Sequence, residues 1–229
     1  MTIYRLISFK ACPWVQRAAI VLREKQIDFE FVHIETGNRP DWFAALSPHG
    51  KVPVLQIENG TALFESNAIV EYLDETTAPR LHPEDAVTRA INRAWAEYVP
   101  SFSAALGAFS AAQTDEDHAS ARKAISAVFA RLEEALGKQA SGPFFNGDRY
   151  SLVDAGFAPF LQRYLIVADL LDDSLIRDFP RLDQWATSLI GRPSTHSFPP
   201  AEFRLLYIEN LKRRGGAILQ RSLKLAEAA

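Results

Sequence analysis

The chain has 229 residues, 48% apolar, 23% charged and 11% aromatic, with 11 Gly and 13 Pro. That is the balance of a globular chain of one large or two small domains, not of a disordered, collagen-like or low-complexity one. A net charge of -3, from 25 basic and 28 acidic side chains, lacks the concentrated basic surplus of a nucleic-acid binder. Apolar stretches such as 18–22 and 165–168 fall far short of the roughly 18–20 residues of a membrane span, and no apolar leader begins at Met1. A single cysteine, Cys12, can form neither an intramolecular disulfide nor the paired thiolates of a metal site. The five histidines lack ligand spacing. The expectation is a cytoplasmic protein in a reducing compartment, without a metal, nucleic acid or membrane.

The first elements alternate in type. Residues 3–7 form a short apolar run, and after a Ser-Phe-Lys-Ala loop a 3.6-residue apolar pattern runs through Trp14, Val15, Ala18, Ala19, Val21 and Leu22. Residues 29–34 read as a second strand, parallel to the first through that crossover helix. A short helix is predicted over 41–46. After it, 52–57 and 61–64 flank Glu58-Asn59-Gly60 as a β-hairpin, and Ser66 opens a helix to about Thr76.

From residue 87 onward the patterns are helical: 87–109, 115–136, 151–171 and 180–191, then an amphipathic tail over 201–225 broken near Gly215-Gly216. Residues 1–78 carry 7 basic and 10 acidic side chains, leaving 18 and 18 for the rest. The composition break at 79–83 divides an α/β unit, 1–78, from an all-helical unit, 86–229. Ser151-Leu152-Val153-Asp154 has the form of a capping box, a stability feature.

Three places carry chemistry. Cys12 stands where the first strand has ended and the first helix begins, with Pro13 suited to the first helical position. Free N–H groups and the positive end of the helix dipole favour a thiolate there, and known cases fall from about 8.5 to between roughly 3.5 and 7.5. The plainer role is a small buried hydrophobe. Cys12-Pro13-Trp14-Val15 holds no second cysteine, so a resolving thiol comes from outside the chain. At Val52-Pro53, a cis bond would leave the N–H and C=O of Val52 free for an extended peptide-like ligand, against the alternative of a trans edge proline. At Glu65-Ser66, a carboxylate, a hydroxyl and free backbone N–H groups converge on a helix start, a set able to hold both ends of an amino acid zwitterion.

These signals, in this order, resemble the glutathione transferase superfamily over nearly the whole chain. The segments Phe9-Lys10-Ala11-Cys12-Pro13-Trp14, Asn38-Arg39-Pro40-Asp41-Trp42-Phe43, Gly50-Lys51-Val52-Pro53-Val54-Leu55 and Glu65-Ser66-Asn67-Ala68-Ile69 are similar to its cysteine-type, omega-like branch. The resemblance implies a thioredoxin-like N-terminal domain followed by an all-α helical-bundle C-terminal domain. It also implies a glutathione co-substrate and a homodimer in which the first domain of one subunit meets the helical domain of the other. By the same resemblance Cys12 forms a mixed disulfide with glutathione and Arg39 or Lys51 faces the glycine carboxylate. The Val52 backbone pairs with the cysteinyl unit beside a cis Pro53, and Glu65 with Ser66 holds the γ-glutamyl group. Trp14, next to Cys12, is expected in the pocket of a small electrophilic or oxidised second substrate. Tyr4 and Ser8 are read as structural.

No rival motif competes: G-x-G-x-x-G and G-x-S-x-G are absent, and Lys212-Arg213-Arg214 reads as a solvated face. The expected activity is a glutathione-dependent thiol transfer or reduction. The alternative is a non-catalytic module that keeps the frame for partner recognition.

Overall fold

The computed structural model describes residues 4–35 and 37–228, with the side chains of 226–228 excepted. Ile3, expected to begin the first strand, lies outside the described residues. β1 (Tyr4–Ser8) and β2 (Phe29–His33) pair in parallel, joined by α1 (Pro13–Glu24). On its other edge β1 pairs antiparallel with β3 (Val54–Gln56), and β3 with β4 (Ala62–Phe64), giving the sheet order β2-β1-β3-β4. The hairpin turns at Asn59-Gly60, where the Asn59 side chain accepts from Thr61 N–H at 2.9 Å. β3 is shorter than the 52–57 run because Pro53 offers no N–H, so the ladder starts at Val54. α2 (Asp41–Leu46) and α3 (Ser66–Thr76) follow the sequence pattern.

Every residue of α1 from Val15 to Leu22 is buried, polar ones included, because the helix packs against α3 and is capped from the other side by helices of the second half. That half comprises α4 (Ala86–Ala96), α5 (Val99–Ala111), α6 (Asp115–Gly137), α7 (Leu152–Leu171), α8 (Pro180–Ile190), α9 (Pro200–Arg214) and α10 (Ala217–Ala228). The single helix expected over 87–109 is two. Pro100 has no N–H to donate and its ring would strike the carbonyl of Ala96, so the chain breaks at Glu97-Tyr98 and restarts with Pro100 in the first turn of α5. The break separates two environments: Phe102, Leu106 and Phe109 of α5 are buried, whereas Val87 (67%) and Ile91 (46%) of α4 face outward. Between α9 and α10, Gly216 N–H bonds to Ser110 O at 2.9 Å, and a Cβ there would lie 2.0 Å from Ala112 O; only glycine lets the tail lie this close to the end of α5.

α7 is the buried axis of the helical half. Ser151 and Asp154 form the expected capping box, and Asp154, fully buried, also accepts from Phe145 N–H (2.8 Å) and Trp185 Nε1–H (2.7 Å). No helix among the described residues is long and apolar enough to cross a membrane.

The segment 77–85 between the halves is pinned by buried charges. Lys25 Nζ meets Asp74 at 2.9 Å and donates to the carbonyls of Thr77 (2.6 Å) and Pro79 (2.8 Å), while Asp74 accepts from Leu81 N–H at 2.6 Å. Glu71 lies between His82 (2.8 Å) and Arg93 (2.6 Å). Burial works against its charge, but those two partners outweigh it and hold the carboxyl at a pKa of about 2, below the ordinary 4.5.

Lys25→Met leaves Asp74 buried without its cation and is expected to cost about 3–5 kcal/mol, read by urea denaturation. Because the folded pKa of Glu71 lies below its unfolded value, its stabilisation is present above about pH 4.5 and is lost as pH falls toward 2. Glu71→Gln should therefore flatten the stability curve between those limits, measured by thermal melts across that range.

Candidate functional site at the head of α1

β1 ends at Ser8, whose hydroxyl donates to Phe9 O at 2.7 Å, a structural role. A tight turn follows, closed by Cys12 N–H to Phe9 O at 3.2 Å, with Ala11 at φ +60°, a left-handed conformation that costs a residue with a Cβ. Arg163 of α7 holds this turn by donating from Nη2 to Ala11 O at 2.7 Å. Cys12 is the N-cap of α1 with Pro13 after it, as the sequence predicts.

The thiol itself differs from expectation. Burial is the largest influence and pushes the Cys12 thiol above its usual value, although the N–H groups of Val15 and Trp14 and the Arg163 guanidinium pull the other way. The helix terminus is present, but so is an apolar surround of Val15, Phe31, Phe198 and Phe203 lining the crevice at the sulfur. Sequence spacing shows the first and not the second.

Next to Trp14 and Arg17 of α1 lies a cavity of about 370 Å3 that gathers Lys51, Val52, Pro53, Glu65 and Ser66, although Cys12 itself does not line it. Val52-Pro53 is cis, and among the described residues neither backbone group of Val52 has a hydrogen-bond partner. Lys51 is anchored by Ser47, whose Oγ accepts from Lys51 N–H (2.9 Å) and donates to Lys51 O (2.8 Å). Glu65 adopts φ +67° at the N-cap of α3 and its carboxylate meets His49 Nδ1 at 2.9 Å. Ser66 is the first helical residue and not the cap; its Oγ has no partner among the described residues, and the first N–H groups of α3 have no acceptor in the helix.

Two expected residues sit elsewhere. Arg39 lies outside this cavity, donating to Gly50 O at 2.5 Å with its guanidinium 5.6 Å from the Phe9 ring centre. Trp14 lines the cavity of Val52 and Glu65, because two residues along a helix rotate a side chain by about 200° from Cys12. It packs edge-on against Phe160 at 4.9 Å.

A second cavity of about 330 Å3 is floored by Ala11 and Pro13, the neighbours of Cys12, and walled by Phe160 and Arg163 of α7, Leu106 of α5 and Tyr207 of α9. Arg163 is buried, stacks over Phe203 (4.9 Å) and Tyr207 (5.5 Å), and donates to Gln16 Oε1 at 2.7 Å; burial lowers its pKa to about 10, so it stays cationic at neutrality. Gln16 in turn donates to Gln162 (2.8 Å) and Thr195 O (2.7 Å). The sequence reading missed Gln16, Arg17 and Arg163. The available signal was two polar residues inside the otherwise unbroken buried run of α1.

A family model described as the glutathione S-transferase N-terminal domain matches residues 6–81, and one for the glutathione S-transferase C-terminal domain matches 85–188. The chain is 31% identical over 203 residues to glutathione S-transferase omega-1 of Rattus norvegicus, covering 87% of this chain and 83% of that one. Among solved structures, rice GST1 in complex with glutathione is similar at a TM-score of 0.81 with 28% identity, covering 93% of this chain and 98% of that one. Glutathione transferase Omega 3C from Trametes versicolor gives 0.77 with 25% identity and 92% of each chain. With family models matching the thioredoxin-like sheet domain and the helical domain in turn, the chain belongs to the glutathione S-transferase family of enzymes.

Proposed function

We propose that this protein is a glutathione-dependent thiol transferase or reductase whose nucleophile is Cys12. The observation that carries the reading is the position of Cys12 at the head of α1, where its neighbours Ala11 and Pro13 line an aromatic-walled cavity and Trp14 lines a cavity with unpaired peptide-like hydrogen-bonding groups. The Cys12 thiolate attacks the glutathione sulfur of a mixed disulfide, forming Cys12–S–S–glutathione and releasing the substrate thiolate. A second glutathione thiolate then attacks the glutathione sulfur of that intermediate, regenerating the Cys12 thiolate and releasing glutathione disulfide.

In this reading Lys51, on the cavity wall, meets the glycine carboxylate, and Arg39 shapes the Gly50 turn beside it. The free N–H and C=O of Val52, next to cis Pro53, pair with the cysteinyl unit as an added strand would. Glu65 and Ser66 hold the γ-glutamyl group, the hydroxyl and first N–H groups of α3 facing its carboxylate. The second cavity takes a small electrophilic or oxidised substrate. Residues 1–78 act as the glutathione-binding unit and 86–229 as the substrate-binding one. A cytoplasmic setting follows from the need for a reduced glutathione pool. The non-catalytic alternative is not favoured, since the matched relatives are named as transferases.

We also assign a homodimer. The exposed apolar residues of the two halves support it: Trp42 (45%) and Phe64 (38%) on the first, and Val87 and Ile91 on the second beside a groove of about 760 Å3 lined by Trp95 and Tyr98.

Turnover of a glutathione mixed disulfide should disappear in Cys12→Ala; equal turnover by the variant overturns the mechanism. In the ligand-free protein, alkylation of Cys12 by iodoacetamide should still be accelerating past about pH 8.5, because burial holds the thiol protonated; a plateau already at pH 7 contradicts that electrostatic account. Sedimentation should give about twice the 25.6 kDa chain mass, and Ile91→Glu should shift it toward the monomer.

A further inference from the structure

The cavity floored by Ala11 and Pro13 is lined by two cations, Arg163 of α7 and Arg214 of α9, and by no aspartate or glutamate among the described residues. Arg163 is 3% exposed, and every group that accepts from it is neutral: the carbonyls of Ala11 (2.7 Å) and Pro159 (2.6 Å) and the side-chain oxygen of Gln16 (2.7 Å). Those three bonds leave its Nε–H and one Nη2 hydrogen without an acceptor among the described residues. The ionisable groups that act on it through space, Tyr207 and Cys12, are both kept protonated by burial. Buried charges elsewhere in the chain are matched: Lys25 meets Asp74 at 2.9 Å, and Arg192 meets Glu24 at 2.5 Å. A buried charge without a counter-charge is costly, so Arg163 leaves a positive potential that a group entering the cavity can satisfy.

Arg214 stands apart from Arg163 along α9. Tyr207, over whose ring Arg163 lies at 5.5 Å, and Arg214 are seven residues apart, which is two turns on one face and about 10 Å along the helix axis. The other basic residues of α9 are engaged: Arg204 with Asp169 at 2.5 Å, Lys212 with Glu209 at 3.1 Å, and Arg213 with Asn210 Oδ1 at 2.8 Å. Arg214 has no partner among the described residues. Asn210 and Leu211 come between Tyr207 and Arg214, and Phe160 and Leu106 face the same space. The cavity thus has an apolar, aromatic body with a separate cation toward each end.

We propose that this cavity selects anionic aromatic substrates, the ring lying between Phe160 and Tyr207, the reacting sulfur at the Arg163 end and a carboxylate at Arg214. The inference rests on the reading of this cavity as the second-substrate site and adds the sign of the charge that it takes. The two cations have different tasks. Negative charge develops on the leaving sulfur as the S–S bond breaks, and Arg163 serves that charge in any disulfide. Arg214 acts only on a substrate that carries a second anionic group, which makes it the specificity-determining residue. A cationic substrate meets like charge at both ends and is disfavoured.

The test compares two glutathione mixed disulfides, one with 4-(mercaptomethyl)benzoate and one with its neutral amide, 4-(mercaptomethyl)benzamide, each turned over with glutathione as the second thiol. In both, the Cys12 thiolate bonds to the glutathione sulfur and the electron pair of the broken S–S bond leaves on the benzylic sulfur. The methylene insulates that sulfur from the ring substituent, so the two differ in charge and little else. Wild-type kcat/KM should favour the carboxylate by about ten-fold over the amide, the size of one charge-assisted contact. Arg214→Gln should bring the two close to equal, the loss falling on the carboxylate. Equal kcat/KM for the two in the wild type overturns the charge selection, with no variant needed, and leaves thiol transfer standing. Arg214→Gln that turns over both and keeps the wild-type preference overturns it as well. Wild-type protein that turns over neither disulfide removes the thiol-transfer reading itself, and the charge selection with it.

Discussion

Helix α1 has to serve two interiors at once. It starts at the sulfur, closes the crossover between β1 and β2, and is buried from Val15 to Leu22 because the helical half covers the face the sheet leaves free. A helix buried on both sides cannot send its polar groups to water, so most of them find partners in the packing around it. Gln16 does so across the boundary through Gln162, Arg163 and Thr195, and Glu24 through a two-pronged contact with Arg192 at 2.5 and 2.6 Å, whereas Lys25 holds Asp74 of α3 within the same half and Arg17 has no hydrogen-bond partner among the described residues. These contacts fix the rotation of the helix about its own axis. The placement of Cys12 follows from that, as does the separation of the two cavities lined by its neighbours Trp14, and Ala11 with Pro13.

The chemistry at the sulfur is a contest between two consequences of this placement. A helix start supplies N–H groups and a favourable dipole, while the packing that holds the helix strips water from the thiol. Burial prevails, with Arg163 and the Trp14 and Val15 N–H groups opposing it. In the proposed reaction, reactivity then depends on an arriving sulfur being held in line by the Val52 backbone and the α3 terminus, so positioning contributes where a depressed thiol pKa does not.

Local signals were legible wherever the chemistry is local. Asp41–Leu46 and Ser66–Thr76 appear with the predicted bounds, although neither has a side-chain cap, and the Ser151 capping box is formed as read. The clustering of Lys51, Val52, Pro53, Glu65 and Ser66 was visible as an ordered set of motifs. What escaped depends on partners remote in the chain. Periodicity carried an apolar helix straight through Pro100, although a proline four residues after Ala96 marks a break. Trp14 faces the Val52 cavity because of a rotation about α1 that adjacency in sequence does not convey. The burial of Arg17 and Arg163 is a property of α7 lying across α1, and the pattern of α1 alone shows only two basic residues and their spacing.

Arg163 touches both halves of the proposed reaction at once: one nitrogen grips the carbonyl of Ala11 ahead of the sulfur, and the same guanidinium forms part of the second cavity's wall. A change on α7 that reshapes this cavity therefore also disturbs the turn that aims the thiol. Asn210 of α9, and Ser103 and Gly107 of α5, line the same space with no hold on that turn. If that cavity takes the substrate as proposed, substrate range is free to drift along α5 and α9 over evolutionary time, while α7 stays under the constraint of the turn it braces.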